Sequence, residues 1–303
     1  MKRDIVIAAL LTCHNRKEKT LLCLQSLFSS LYYYNSNYNA LISLKVFLVD
    51  DGSTDGTSEE IQETFKDKIH LIKIIKGSGS LFWARGMALA WRYALDEDSG
   101  WDFFLLLNDD TFLYNNSLKT LFDTHKYSLN KFGKEGLYSG ITCEMGNSEK
   151  ITYGGAVWLN KFMVKCKQLK PSLVPQMCDV ANANILLVPY GVVNQIGILN
   201  DTYQHGFADY EYSMSARKRN IPVLVTSEIC GECNFDHDNE VTLFIDMNLK
   251  ERKAYFNSPL HSNKDYLYYI KRNFPIRFPF VLIGRLLNLY FPKIYYYTRE
   301  LRK

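Results

Sequence analysis

Four short apolar runs punctuate the first 110 residues: IVIAALL (5–11), LKVFLVDD (44–51), IHLIKII (69–75) and DFFLLLNDD (102–110). Between them lie KEKTLLCLQSLFSSL, with Asn15 placed as its N-cap, then TSEEIQETF (57–65) and LFWARGMALAWRYALD (81–96). These carry apolar residues at helical spacing. Strands that are apolar almost throughout, alternating with amphipathic helices, predict a parallel sheet covered on both faces. Further on, ITYGGAVWLN and NILLVPYGVVNQIG predict strands or hairpins followed by a helix. YEYSMSARKRN (210–220) predicts a helix stopped by Pro222.

The run at 5–11 is short, ends in polar residues and has no small-residue cleavage site after it, so it reads as a first strand rather than a signal peptide. No stretch approaches the ~18–20 apolar residues that span a bilayer.

Two of the strands end in acids. Asp50 and Asp51 close the second, and Asn108, Asp109 and Asp110 close the fourth. Open sheets of this type bind ligands at the carboxyl ends of their strands. Adjacent carboxylates at the end of a buried run repel one another and are costly to desolvate, so a ligand or cation is expected to justify them. In VDDGSTDGT (49–57), Gly52 permits a tight turn, and Ser53, Thr54 and Asp55 offer hydroxyls and a carboxylate that suit a ribose or base edge. The same stretch also fits an ordinary β–α turn.

Composition narrows this only slightly. A chain of 303 residues with 47% hydrophobic content supports one large domain or two small ones. Residues 1–240 hold 24 Lys+Arg against 28 Asp+Glu, and residues 241–303 hold 12 against 4. An acidic body suits a metal site, and a basic, aromatic tail suits an anionic surface. Seven cysteines at scattered spacings do not form a disulfide framework, so a reducing cytoplasm is expected. Cys230 and Cys233 make one C-x-x-C near His237, but no second pair completes a tetrahedral zinc site.

Taken together, VDDGSTDGT and LLLNDD, about 55 residues apart, resemble the family-2 glycosyltransferases. That resemblance covers roughly residues 4–240. It implies the GT-A nucleotide-diphospho-sugar transferase fold: α/β, a mixed and mostly parallel sheet flanked by helices, here in residues 1–240, with a helical C-terminal extension in 241–303. TCHNR (12–16) is similar to the turn where the first strand meets the nucleotide, and GSGSLFWARGMALAW (77–91) to the segment after the third strand. On this resemblance Thr12, His14, Asn15, Arg16, Asp51, Ser53, Asp55, Arg85, Asn108 and Asp109 bind the nucleotide-sugar. Asn108-Asp109-Asp110 stands for the family's D-x-D element, with Asp110 as ligand to Mg²⁺ or Mn²⁺. HGFADYEYSMSARKRN (205–220) resembles the acidic segment that opens the base helix, with Asp209 as catalytic base, Glu211 as second acid on the acceptor side and Ala208 in place of the usual first acid. His237, in CNFDHDN, matches a histidine that contacts the metal or diphosphate. Asn182 and Asn184, in VANANILLVPYGVVNQIG (180–197), match the acceptor side.

YYIKRN (268–273) is similar to a segment of rhamnosyltransferase-like members. The expected function is therefore sugar transfer, by inversion, from a nucleotide-diphospho-sugar to a saccharide or lipid-linked saccharide in bacterial surface-polysaccharide assembly. The expected setting is the cytoplasm, peripheral to the membrane. The basic, aromatic tail suits a membrane surface and equally a packing or homodimer surface; nucleic acid is not expected. Two rival readings are a catalytically silent nucleotide- or saccharide-binding module, favoured by Asn108 and Ala208, and a nucleotidyltransferase. The second is weakened because TCHNRKEKT lacks a glycine-rich phosphate loop.

Overall fold

The computed structural model describes residues 4–97, 100–235 and 244–300. The strands are β1 (Ile5–Cys13), β2 (Ile42–Asp50), β3 (Ile72–Lys76), β4 (Phe103–Leu107), β5 (Phe112–Leu113), β6 (Leu137–Glu144), β7 (Asn147–Tyr153), β8 (Gly155–Asn160), β9 (Lys165–Gln168), β10 (Gln176–Met177), β11 (Val180–Ala181), β12 (Ile185–Pro189) and β13 (Val223–Glu232). The larger sheet runs β10-β13-β6-β12-β4-β1-β2-β3, with β5 on β13 and β7 on β6; β11-β8-β9 form a small second sheet. β1 to β4 are mutually parallel, whereas β12 runs antiparallel to both β4 and β6.

Side chains of a strand alternate between faces, and the alternation sorts the core into two layers. On one face Ala8 and Leu10 of β1, Phe104 and Leu106 of β4, and Leu186 and Val188 of β12 pack with α3 (Phe82–Asp96), the short α5 (Tyr190–Ile196) and α6 (Ala208–Lys218). On the other, Ile7, Ala9, Leu11, Phe103, Leu105, Ile185 and Leu187 pack with α1 (Lys17–Asn37) and α4 (Ser117–Phe132). Strands buried on both faces are therefore apolar throughout, as the runs require.

Two local expectations change. Residues 66–71 wind as a 3₁₀ helix, and β3 starts only at Ile72, where its pairing with Val46 of β2 begins. Asn15 does not cap α1: it holds a left-handed backbone (φ 50°), and its side-chain oxygen accepts the Thr54 N–H at 2.7 Å. The carboxylate of Asp55 serves the first turn of α1 instead, accepting the Lys17 N–H at 3.0 Å. The same side chain accepts the Thr57 N–H at 3.1 Å at the start of α2 (Thr57–Thr64).

The tail forms helices Leu249–Asn257, Asn263–Asn273, Phe278–Tyr290 and Pro292–Glu300. Its second helix is not peripheral. Tyr269 and Ile270 are fully buried in the same core layer as α3 and α6.

Candidate functional site

The register of the parallel strands brings four chain turns to one edge: Cys13 pairs with Asp50, Asp50 with Lys76, and Leu10 with Leu106. The turns leaving β1, β2, β3 and β4 thus surround a single cleft of about 910 Å³. Of the residues expected to act, Thr12, His14, Arg16, Asp51, Asn108, Asp109, Asp110, Asn182, Asn184 and Asp209 all line it.

Several of these side chains are fixed by particular bonds. Asp51 is buried and accepts three backbone N–H groups of the next turn, from Gly79 (2.7 Å), Leu81 (2.8 Å) and Phe82 (3.0 Å). A Cβ on Gly77 would lie 2.6 Å from the Asp51 carboxylate, which explains the glycine there. His14 Nδ1 donates to the Asp51 carbonyl at 2.8 Å. Trp83 Nε1 donates to Asn108 Oδ1 at 2.7 Å.

The carboxylate pair behaves as the desolvation argument predicts. Asp109 is buried, and burial pushes its pKa up to about 7, with Asp110 adding to the rise and Arg16 opposing it. Arg16 Nη1 donates to Asp109 Oδ1 (3.3 Å) and Asp110 Oδ2 (2.6 Å), so one cation already bridges the pair. Asp109 Oδ2 is buried without a hydrogen-bond partner. A hard cation fits such an oxygen pair. Among the described residues no three His, Cys, Asp or Glu side chains converge, so the rest of a cation's shell would fall to ligand phosphates and water. His237 lies outside the described residues. Cys233, also buried, donates its thiol to Asp110 Oδ1 at 3.7 Å, and Cys230 and Cys233 are both free.

Across the cleft, Asp209 sits in the first turn of α6. Burial raises its pKa to about 6, opposed by the N–H groups of Tyr210 (2.8 Å to Oδ1) and Ala183 (3.3 Å to Oδ2) and by the Asn182 side chain. This carboxyl is held in one orientation and poised near neutrality, the condition for a general base. Asn182 thereby meets Asp209. Asn184 is turned toward Cys233 Sγ at 3.5 Å.

Five expected residues stand elsewhere. Asn15, Ser53 and Asp55 are spent in the turns around α1 and α2. Arg85 Nε donates to the Asp201 carbonyl at 3.1 Å. Glu211 is buried against Arg272 of the tail.

The cleft also recruits residues that the sequence did not mark: Trp83, Tyr153, Phe207, Tyr210 and, from the tail, Leu260, His261 and Ser262. Asp265 explains the tail's presence. Its buried carboxylate accepts the N–H groups of Gln204 (3.1 Å), His205 (2.7 Å) and Gly206 (3.0 Å), fixing the turn just before α6. Nothing local in the sequence signals that bond, since Asp265 lies about 60 residues from its loop.

Residues 9–128 match the family described as glycosyl transferase family 2. None of the curated proteins compared matches the chain. Among solved structures, GalNAc-T7 with UDP, GalNAc and Mn²⁺ is similar at TM-score 0.56 and 14% identity. The likeness covers 77% of this chain, which spans 44% of that structure's length. The mannosyltransferase PcManGT from Pyrobaculum calidifontis, with GDP-Man and Mn²⁺, is similar at TM-score 0.52 and 12% identity, over 98% of this chain and 84% of its own. Residues 1–349 of S. aureus TarS give TM-score 0.51 and 14% identity, over 94% and 79%. Identities this low speak for the shared fold. Sheet order, strand-end carboxylates and the match over residues 9–128 agree: that part of the chain is similar to glycosyl transferase family 2, and the whole adopts the fold of these glycosyltransferase structures.

Proposed function

We propose that the cleft transfers a sugar from a nucleotide-diphospho-sugar to a saccharide or lipid-linked saccharide acceptor, with inversion, as a step in building a bacterial surface polysaccharide. One observation carries this reading: the strand-end pair Asp109–Asp110 and the helix-start Asp209 face one cavity from different elements. The similar GalNAc-T7 and PcManGT structures hold UDP or GDP-Man together with Mn²⁺, which supports a nucleotide-sugar and a divalent cation as the ligand class here.

Asp110 and Asp109 would hold Mg²⁺ or Mn²⁺, which supplies charge stabilisation to a departing diphosphate. The chain's own residues do the rest. Asp51 orders the turn 79–82 that forms the nucleotide wall, and Thr12, His14 and Arg16 border the same end. The acceptor hydroxyl oxygen attacks the anomeric carbon and its proton passes to the Asp209 carboxylate. The bond to the diphosphate oxygen breaks with its electron pair, and nucleoside diphosphate leaves. A base with its pKa at about 6 is ionised at neutral pH yet basic enough to take that proton as it is released.

A panel of nucleotide-sugars incubated with the protein and Mn²⁺ or Mg²⁺ tests the proposal. Metal-dependent release of nucleoside diphosphate is expected. Binding without turnover across the panel, or release of pyrophosphate, overturns it.

A further inference from the structure

Two segments of the chain contain no acidic residue at all: 150–178 carries five lysines, and 266–299 carries six Lys+Arg. They meet in the fold. Arg277 of the tail donates to the Phe162 carbonyl at the tip of the β8–β9 hairpin, and the rings of Trp158 and Phe274 pack edge-on at 5.6 Å.

The surface they share is apolar as well as cationic. On helix Phe278–Tyr290, Phe278 and Val281 pack inward on the core, and Asn288 is buried. Arg285, the helix's single charge, is turned inward over the Tyr266 ring at 4.8 Å, donating to Asn263. The outward face is left with Phe280, Ile283, Leu287 and Tyr290 in one stripe, flanked by Leu282 and Leu286, all exposed and none charged. Ile294 and Tyr297 of the last helix extend the patch, as do Phe162 and Met163 of the hairpin tip, each more than half exposed. Lys161, Lys165, Lys271 and Lys293 are likewise exposed. Contiguous apolar surface on this scale marks a docking site.

We propose that this face docks the protein on an anionic phospholipid bilayer, with the tail helices lying in the interface plane. No helix among the described residues is long and apolar enough to cross a membrane, so the contact is with the surface. An apolar face with a cationic rim matches a negatively charged lipid interface, where acyl boundary and headgroups take the two kinds of side chain. A second copy is a poorer occupant, because a two-fold contact would bring two acid-free, cationic faces together. Gln168 and Cys166 of the same hairpin, and Ser262 beside Asn263, line the cleft. The bilayer therefore lies next to the acceptor end. Resting on the reading of the cleft given above, this makes the acceptor an amphiphile whose saccharide projects from the membrane.

The test uses the full chain and needs no donor, so it stands or falls separately from the transfer activity. Co-sedimentation with vesicles of phosphatidylglycerol and phosphatidylcholine is compared with pure phosphatidylcholine, at low and high salt. Binding to the anionic vesicles is expected, weakened by salt. The double variant Ile283→Glu/Leu287→Glu should lose about tenfold or more in vesicle affinity, with its thermal midpoint and nucleoside-diphosphate binding retained. A second variant, Lys161→Glu/Lys165→Glu, should reduce binding to anionic vesicles alone. Equal binding to both vesicle types, no binding to either, or vesicle affinity unchanged in both variants overturns the proposal. So does a dimer in solution that Ile283→Glu/Leu287→Glu dissociates, which would make the face an interface between copies.

Discussion

Two carboxylates frame the cleft, and each fixes a turn by accepting three consecutive or near-consecutive backbone N–H groups. Asp51 holds 79–82 at one wall of the cleft, and Asp265 holds 204–206 at another. They reach the site by different routes. Asp51 directly follows β2, and the parallel register with β3 delivers its turn to it, so this wall of the cleft is a consequence of the sheet. Asp265 comes from a tail helix whose partner loop is distant in sequence, so the bonds that fix this second wall are supplied by the tail. The two turns then join. Ala84 N–H donates to the Gln204 carbonyl at 3.1 Å, and Gln204 Nε2 donates to the Ser80 carbonyl at 3.3 Å. The Asp51 wall is thus intrinsic to the sheet, and the Asp265 wall is latched onto it.

The largest effect expected from breaking this arrangement is at Asp209. Asp209→Asn should lower turnover by about 10²–10⁴ while leaving donor affinity intact, measured by nucleoside-diphosphate release and calorimetry. In the wild type, kcat/KM should fall as pH drops through about 6, because the carboxylate must be ionised to accept a proton. Stability runs the opposite way. Burial raises the folded pKa above the ordinary carboxylate value, so the folded state binds the proton more tightly than the unfolded chain does. The resulting stabilisation is complete in acid and is lost as pH rises through about 6. Replacing the carboxylate should therefore benefit the thermal midpoint more at pH 8 than at pH 5.

Asp110→Ala should come next, lowering metal-dependent turnover by at least about 100-fold through loss of charge stabilisation at the diphosphate. It also frees Arg16 from one of its two carboxylates. Near-normal turnover would remove Asp110 from the mechanism.

The comparison itself is sharpened by a matched pair. Asp51→Asn and Asp265→Asn each convert an acceptor of several N–H bonds into a mixed donor–acceptor, at a cost of about 1.5–3 kcal/mol per charged bond disturbed. The first should weaken donor binding and leave the acceptor KM near wild type. The second should raise the acceptor KM with donor affinity retained. If both shift the same constant, the two walls do not act independently.

The strand-end acids were legible because buried apolar runs lead straight into them: Asp51, Asp109 and Asp110 all line the cleft, as a strand-end reading requires. Direction within a turn or helix was not legible. Asp209 and Glu211 are two residues apart, about 200° around a helix, so they point to different sides; one meets the cleft and the other pairs with Arg272. Asp55 carries the right chemistry for a ribose but is committed to two helix starts. Arg85 faces Asp201 for the same reason, a helix phase that composition does not encode. Asp265 and the aromatic lining depend on long-range docking, for which a single sequence offers no local signal.

The smallest expected effect concerns the residue that departs from the family's acidic pattern. An indole N–H can only donate, so the atom of Asn108 that meets Trp83 Nε1 is its oxygen, which leaves the amide nitrogen as a donor on a residue that lines the cleft. An aspartate here would instead offer only acceptors beside Asp109 and Asp110. Trp83→Phe keeps the ring but removes the bond that fixes the amide, a loss of about 0.5–1.5 kcal/mol, read as a roughly 3- to 10-fold rise in donor KM with the acceptor KM unchanged. Asn108→Asp should act in the same direction, by adding a third negative charge to a site that must receive a diphosphate. A carboxylate still accepts the Trp83 indole N–H, so Asn108→Asp keeps that bond and acts by charge alone; its effect should weaken with salt, and that of Trp83→Phe should not. A Trp83→Phe effect that persists in an Asn108→Ala background, where the acceptor is already gone, would show that Trp83 acts by ring contact and not through the amide.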